Sequence, residues 1–253
     1  MQPKIAILIT TFERPELLRK AVESILDNWC DNFVILIGDQ SRFDDGLMQN
    51  WSTEMPEYLH YFKLPFNCGL SYSRNFLARA AQRLGCEYSI LSADSICFDE
   101  SMKKINDVLC FFNNTEKLGR IGLKLKGRIN WEGWLTLVPG KYFELDLIDT
   151  TAQGVYNCDC IKNLFIARTE SLITVHWDEA LKMCEHEDWQ YRYNKEWRTL
   201  YTNDFTCTYQ GVREGKFADY RQINWNEGMK YLLNKYSIKQ WINYKNSELF
   251  KKD

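Results

Sequence analysis

The chain has 253 residues, 45% hydrophobic and 15% aromatic, enough to fill the core of one large domain and too apolar for global disorder. Thirty-two Lys and Arg against 34 Asp and Glu leave a formal charge of −2, which gives no reason to expect nucleic acid as a partner. Nine scattered cysteines argue against a disulfide framework and for a reducing, cytoplasmic location, and no apolar run reaches the roughly 18 residues of a membrane span. Residues 5–9 form a continuous apolar run, the pattern of a parallel strand covered on both faces. Pro15 then suits the first turn of a helix that carries Leu18, Ala21, Val22, Ile25 and Leu26 on one face. Residues 33–37 predict a second buried strand and residues 61–64 a weaker third. A helix follows with Phe76, Leu77, Ala80, Ala81 and Leu84 inward, then a strand over 88–91 and a helix over 102–112.

Beyond about residue 119 the pattern changes, with strands predicted over 121–125, 134–138 and 142–147 in a mixed or antiparallel region. A helix is expected near Glu187, and residues 225–250 read as helical. Repeated strand–helix units predict an α/β fold: a mostly parallel central sheet flanked by helices, with ligands beyond the carboxyl ends of its strands. The polar clusters at 10–14, 39–41 and 92–95 fall at such ends. No internal repeat or Gly/Ser linker interrupts the chain, so one domain is expected over 1–253.

Three of these clusters, Thr10-Thr11-Phe12-Glu13-Arg14, Asp39 and Asp94, form an ordered set. With Asn67-Cys68-Gly69-Leu70-Ser71-Tyr72-Ser73-Arg74-Asn75 the set resembles a GT-A (Rossmann-like) glycosyltransferase of the family 2 type. The stretches Asn163-Leu164-Phe165-Ile166-Ala167-Arg168-Thr169 and Glu185-His186-Glu187-Asp188-Trp189 are similar to β-1,4-N-acetylgalactosaminyltransferase-type domains. The resemblance covers roughly residues 4 to 200. It implies a nucleotide-sugar-binding half over about 1–118, an acceptor and catalytic half over about 119–205, and a helical extension over about 206–253.

Each residue has two readings. Asp39 would accept the uracil N3–H, or open an Asx-type turn. Residues 10–14 would frame the base, or Thr10 and Thr11 would cap the helix. Arg74 offers a planar fork to a diphosphate, with Gly69 and Asn75 beside it; otherwise it pairs with an acid. Gly69 would let the backbone approach the ligand, or merely permit a turn. Where the family carries Asp-x-Asp, this chain has Ser92-Ala93-Asp94, so Asp94 alone would hold Mn2+ or Mg2+, with Ser92 on the ribose or a water. Arg168 would contact the donor phosphates or support the sheet.

Asp188 matches the family's general base, and Glu187 the neighbour that contacts a sugar. Alternatively, both acids complement a helix N-terminus. Trp131, Trp134 and Trp189 would stack on an acceptor, or pack in the core. Cys158, Cys160, Cys184 and His186 could form a zinc set, though their spacing is tighter than usual. Aromatic and basic residues from Trp225 to Lys245 suggest a peripheral membrane contact or a solvated helix face.

The resemblance implies inverting transfer of a hexose or N-acetylhexosamine from a UDP-sugar to a glycan or lipid-linked hydroxyl. The alternative is a degenerate module that binds nucleotide or glycan without transfer. A sugar-nucleotide nucleotidyltransferase fits less well, because residues 10–14 contain no glycine.

Overall fold

The computed structural model describes residues 4–28, 32–211 and 215–250. The elements run β1 (Ile5–Thr11), α1 (Pro15–Asp27), β2 (Phe33–Asp39), α2 (Gly46–Glu54), β3 (Leu59–Lys63), α3 (Leu70–Arg83), β4 (Tyr88–Ala93), β5 (Ile96–Phe98) and α4 (Ile105–Asn114). They continue with β6 (Leu118–Lys126), β7 (Gly133–Val138), β8 (Tyr142–Leu147), β9 (Val155–Asn157) and β10 (Phe165–Arg168). The last are α5 (Thr169–Thr174), α6 (Glu185–Tyr193), β11 (Arg198–Tyr209), α7 (Gly215–Lys235) and β12 (Ile242–Lys245).

The main sheet has the order β3-β2-β1-β4-β10-β6-β11-β5, with β9 added on β11. Its first four strands are parallel; β10 then enters antiparallel between β4 and β6. The sheet is therefore continuous across residue 118. The period of two in β1 sorts its side chains: Ile5, Ile7 and Ile9 pack with Leu18, Val22 and Ile25 of α1. Ala6 and Leu8 pack on the other face with Leu77 and Ala81 of α3. Each fully buried aliphatic side chain there contributes about 1.5–3 kcal/mol of transfer free energy. This two-sided burial makes β1 a rigid support for the loop that follows it.

A second sheet, β12-β8-β7, packs its Phe143 and Leu145 with Leu232 of α7. The continuous helix expected to residue 250 is not observed. Ser237 sits at φ 52 in the left-handed region, just past α7, and β12 then pairs in parallel with β8. Trp241 is buried in that cluster, and Lys245 pairs with Glu144. Trp241, Lys235 and Lys245 of the set considered for a membrane surface are thus engaged within the fold, while Trp225, Tyr231 and Tyr244 stay exposed. No helix among the described residues is long and apolar enough to cross a membrane.

Candidate active site

The parallel register places Thr11 opposite Asp39 and Thr10 opposite Ala93, so the chain leaves three neighbouring strands at one edge. There the Thr11 hydroxyl donates to Asp94 Oδ2 at 2.9 Å. Arg14 is the N-cap residue of α1. Its Nε donates to the same oxygen at 3.0 Å, and its second prong reaches Oδ1. Thr11 therefore serves Asp94 and does not cap the helix. Burial pushes the Asp94 carboxyl up to about 6, against the opposing pull of Arg14 and Thr11.

Glu13 adopts φ 55, a left-handed conformation uncommon for a side-chain-bearing residue. Its amide donates to Ser41 Oγ at 2.7 Å, and its carboxylate accepts the Arg42 amide at 2.6 Å. Glu13 thus ties the loop after β1 to the loop after β2. Asp39 accepts the Ser41 amide at 2.8 Å and the Tyr61 hydroxyl at 2.6 Å. The first of these bonds is an Asx turn; Lys63 Nζ also lies 3.7 Å from Oδ2, and Oδ1 keeps a lone pair for another donor. Phe12 packs against Phe66 at 5.6 Å and Tyr220 at 5.5 Å between ring centroids. Phe217 lies 4.0 Å from the Arg14 guanidinium carbon. The N-terminal part of α7 therefore covers this edge.

Gln40 links the edge to α3, its side-chain oxygen accepting the Gly69 amide at 2.7 Å. Gly69 adopts φ 92, and a Cβ there would collide with the backbone of Lys182. Its close approach is to its own chain, which corrects the expectation that the space admits a ligand. One turn further, Arg74 is buried and ion-paired with Glu185, while its Nε has no partner. Asn75 donates to the Trp177 carbonyl at 2.9 Å and accepts the Trp177 amide at 2.9 Å. Both bonds clamp a loop, so Asn75 holds structure and is not aimed at the crevice.

The Arg74–Glu185 pair brings the start of α6 beside α3. Asp188, fully buried one turn later, accepts from Arg192 at 2.9 and 3.1 Å and from the Tyr236 hydroxyl at 2.7 Å. Lys235 approaches it at 2.6 Å. Its carboxylate thus faces the C-terminal end of α7. In contrast, Glu187 is pushed up to about 8 by burial, with Glu185 and Asp188 adding repulsion. His186 stacks on Trp131 at 4.4 Å and contacts Asn163 at 2.5 Å; burial holds its imidazole well below its ordinary range.

The remaining candidates divide. Trp189 is buried, stacked on Trp177 at 4.3 Å, with its indole N–H on the Val175 carbonyl at 2.6 Å. It is a core residue, which corrects the acceptor expectation. Trp134 is exposed on β7, and Trp131 is half-buried on His186. Arg168 pairs in register with Tyr88 at the opposite end of β4, where it donates to the Phe112 and Leu118 carbonyls at 2.8 and 3.2 Å. It supports the sheet, away from Asp94.

The donor set for a divalent ion is thin. Arg14 and Thr11 occupy both Asp94 oxygens, and the buried Ser92 hydroxyl has no partner. Among the described residues no three His, Cys, Asp or Glu side chains gather in a metal-holding group. The residues present do not fit a resident Mn2+ or Mg2+. Of the zinc candidates, Cys160 accepts from Gln190 and Cys184 donates to the Trp225 carbonyl.

Sequence reasoning missed Phe66, Phe217 and Tyr220 around Phe12, and Lys235 and Tyr236 on Asp188. These partners lie too far along the chain for spacing to reveal them.

No protein-family profile matches the chain, and no curated protein matches it. Solved structures do. A mannosyltransferase from Pyrobaculum calidifontis, in complex with GDP-Man and Mn2+, aligns at a TM-score of 0.62 with 11% identity, covering 92% of this chain and 65% of that one. Staphylococcus aureus TarS 1–349 aligns at 0.62 with 15% identity, covering 91% and 66%. The TarS complex with UDP-GlcNAc aligns at 0.60 with 14% identity, covering 92% and 73%. The chain thus has a GT-A glycosyltransferase-like fold and spans about two thirds of the first two chains.

Proposed function

We propose that the protein is an inverting glycosyltransferase that moves a hexose or N-acetylhexosamine from a UDP-sugar to a glycan or lipid-linked hydroxyl. The observation that carries this reading is the register that gathers Thr11, Arg14, Asp39 and Asp94 at the carboxyl ends of β1, β2 and β4. That is where a doubly wound sheet binds its ligand. The backbone of residues 10–14 frames the base and Asp39 offers an acceptor for its N3–H. Arg74, with an unpartnered buried Nε, is the second cation on the path towards α6. The solved structures with GDP-Man and UDP-GlcNAc support a nucleotide sugar as donor. Galactosamine as the donor sugar rests on the sequence resemblance alone.

Asp188 takes the acceptor proton as the hydroxyl oxygen attacks the anomeric carbon, and Glu187 contacts a sugar. Nothing in this reading depends on a resident metal. Asp188→Asn is expected to lower UDP release from the preferred UDP-sugar at least about a hundredfold, the scale of general-base loss. UDP affinity should stay within a few-fold by calorimetry; turnover at the wild-type rate would remove Asp188 as the base.

One observation favours a second reading. Arg192, Lys235 and Tyr236 all engage the Asp188 carboxylate, as they would in a module that holds a nucleotide without transfer. A thermal-shift screen of nucleotide sugars separates the two, because any ligand of the folded state raises its melting temperature. Stabilisation by UDP-sugars with no UDP released to any acceptor would select the binding module.

A further inference from the structure

We infer that the Arg14 guanidinium, not a divalent ion, supplies the positive charge that faces the diphosphate at the ends of β1 and β4. The inference rests on the nucleotide-sugar reading above and changes what that site needs. Asp94 has no exposed side-chain surface, so a cation can reach it only through the groups already bound to it. Those groups are Arg14, on both oxygens, and Thr11 on one. A divalent ion usually keeps several waters and takes one or two carboxylates. Here Arg14 and Thr11 engage both oxygens of the single carboxylate, and the position where a second could stand is Ser92.

A two-pronged bond to a carboxylate uses two of the five N–H donors of a guanidinium. The others remain for phosphate oxygens, which the planar fork matches in geometry. Arg14 is also held in place. It follows a strand buried along its whole length, it is the N-cap residue of α1, and its guanidinium lies against Phe217. A donor fixed in this way loses little entropy when a phosphate arrives. Asp94 then acts by orienting Arg14, not by ligating an ion.

The test is calorimetric titration of the whole chain with UDP and with uridine, in Mn2+, in Mg2+ and in EDTA. Wild-type affinity for UDP is expected to agree within about threefold in all three, under 1 kcal/mol. Arg14→Gln should lose about tenfold or more in UDP affinity, bind uridine like the wild type, and gain nothing from Mn2+. Arg14→Lys should recover part of the loss as a point charge. A wild-type affinity that falls tenfold or more in EDTA overturns the inference and leaves the nucleotide reading intact. Wild-type UDP affinity in Arg14→Gln also overturns it. Failure of both uridine and UDP to bind the wild type under any condition overturns the nucleotide reading itself. Should Arg14→Gln not fold, the metal comparison on the wild-type chain decides alone.

Discussion

Glu187 sits where its proton is worth more to the folded chain than to the unfolded one. Its carboxyl is pushed up to about 8 by burial and by the neighbouring acids. A group whose folded pKa is raised contributes stability that is complete below the ordinary carboxylate range and is lost as pH climbs towards 8. Between those limits the wild-type chain should therefore weaken with rising pH. Glu187→Gln, which keeps the shape and cannot ionise, should remove part of that slope. At pH 9 it should exceed the wild type by several kcal/mol, since each tenfold change in proton affinity is worth about 1.4 kcal/mol. At pH 5 the two should nearly coincide. Urea midpoints across that range check it; parallel pH curves would mean that Glu187 is hydrated. At this scale Asp39 and Asp94 were legible because each follows a recognisable apolar run. The Arg14–Asp94 and Arg74–Glu185 pairs were not, since their partners lie 80 and 111 residues apart.

Elements were easier to read than their partners. Two-sided burial writes long apolar runs into β1, β2 and β4, and the helical period marks α1 and α3. The short strands β5, β9 and β12 carry no comparable signal and exist because a neighbour offers them an edge. The helix α2 was not expected from the sequence; in the structure Asp45 caps it, its carboxylate accepting the amides of Leu47 and Met48. The entrance to α3 depends on Gly69, with its positive φ and the Lys182 backbone against it. Gly69→Ala should cost about 2 kcal/mol or more through both strain and collision. Denaturant unfolding measures that cost, and a loss below about 0.5 kcal/mol would show that the Lys182 loop moves aside freely.

At the scale of the molecule, the alternation of strands and helices predicted the α/β class, and the sheet order did not follow from it. β10 reaches β4 from about seventy residues further along the chain and reverses the strand direction between β4 and β6. A fragment ending after α4 would leave β4 as an unpaired hydrophobic edge, the kind that templates aggregation. Residues 1–114 expressed alone should therefore elute as aggregates in size-exclusion chromatography, with weak amide protection in β4. A monomeric, well-protected fragment would show that the first half folds without β10.

α7 touches Phe12 through Tyr220 near one end and, together with the residue just beyond it, Asp188 at the other. At 1.5 Å per residue its 21 residues form a rod about 30 Å long. A rod transmits tilt. Lifting its first turns from the strand edge would tilt Lys235 and Tyr236 against the carboxylate they hold, so the packing at Phe12 and the bonds at Asp188 are coupled through one helix.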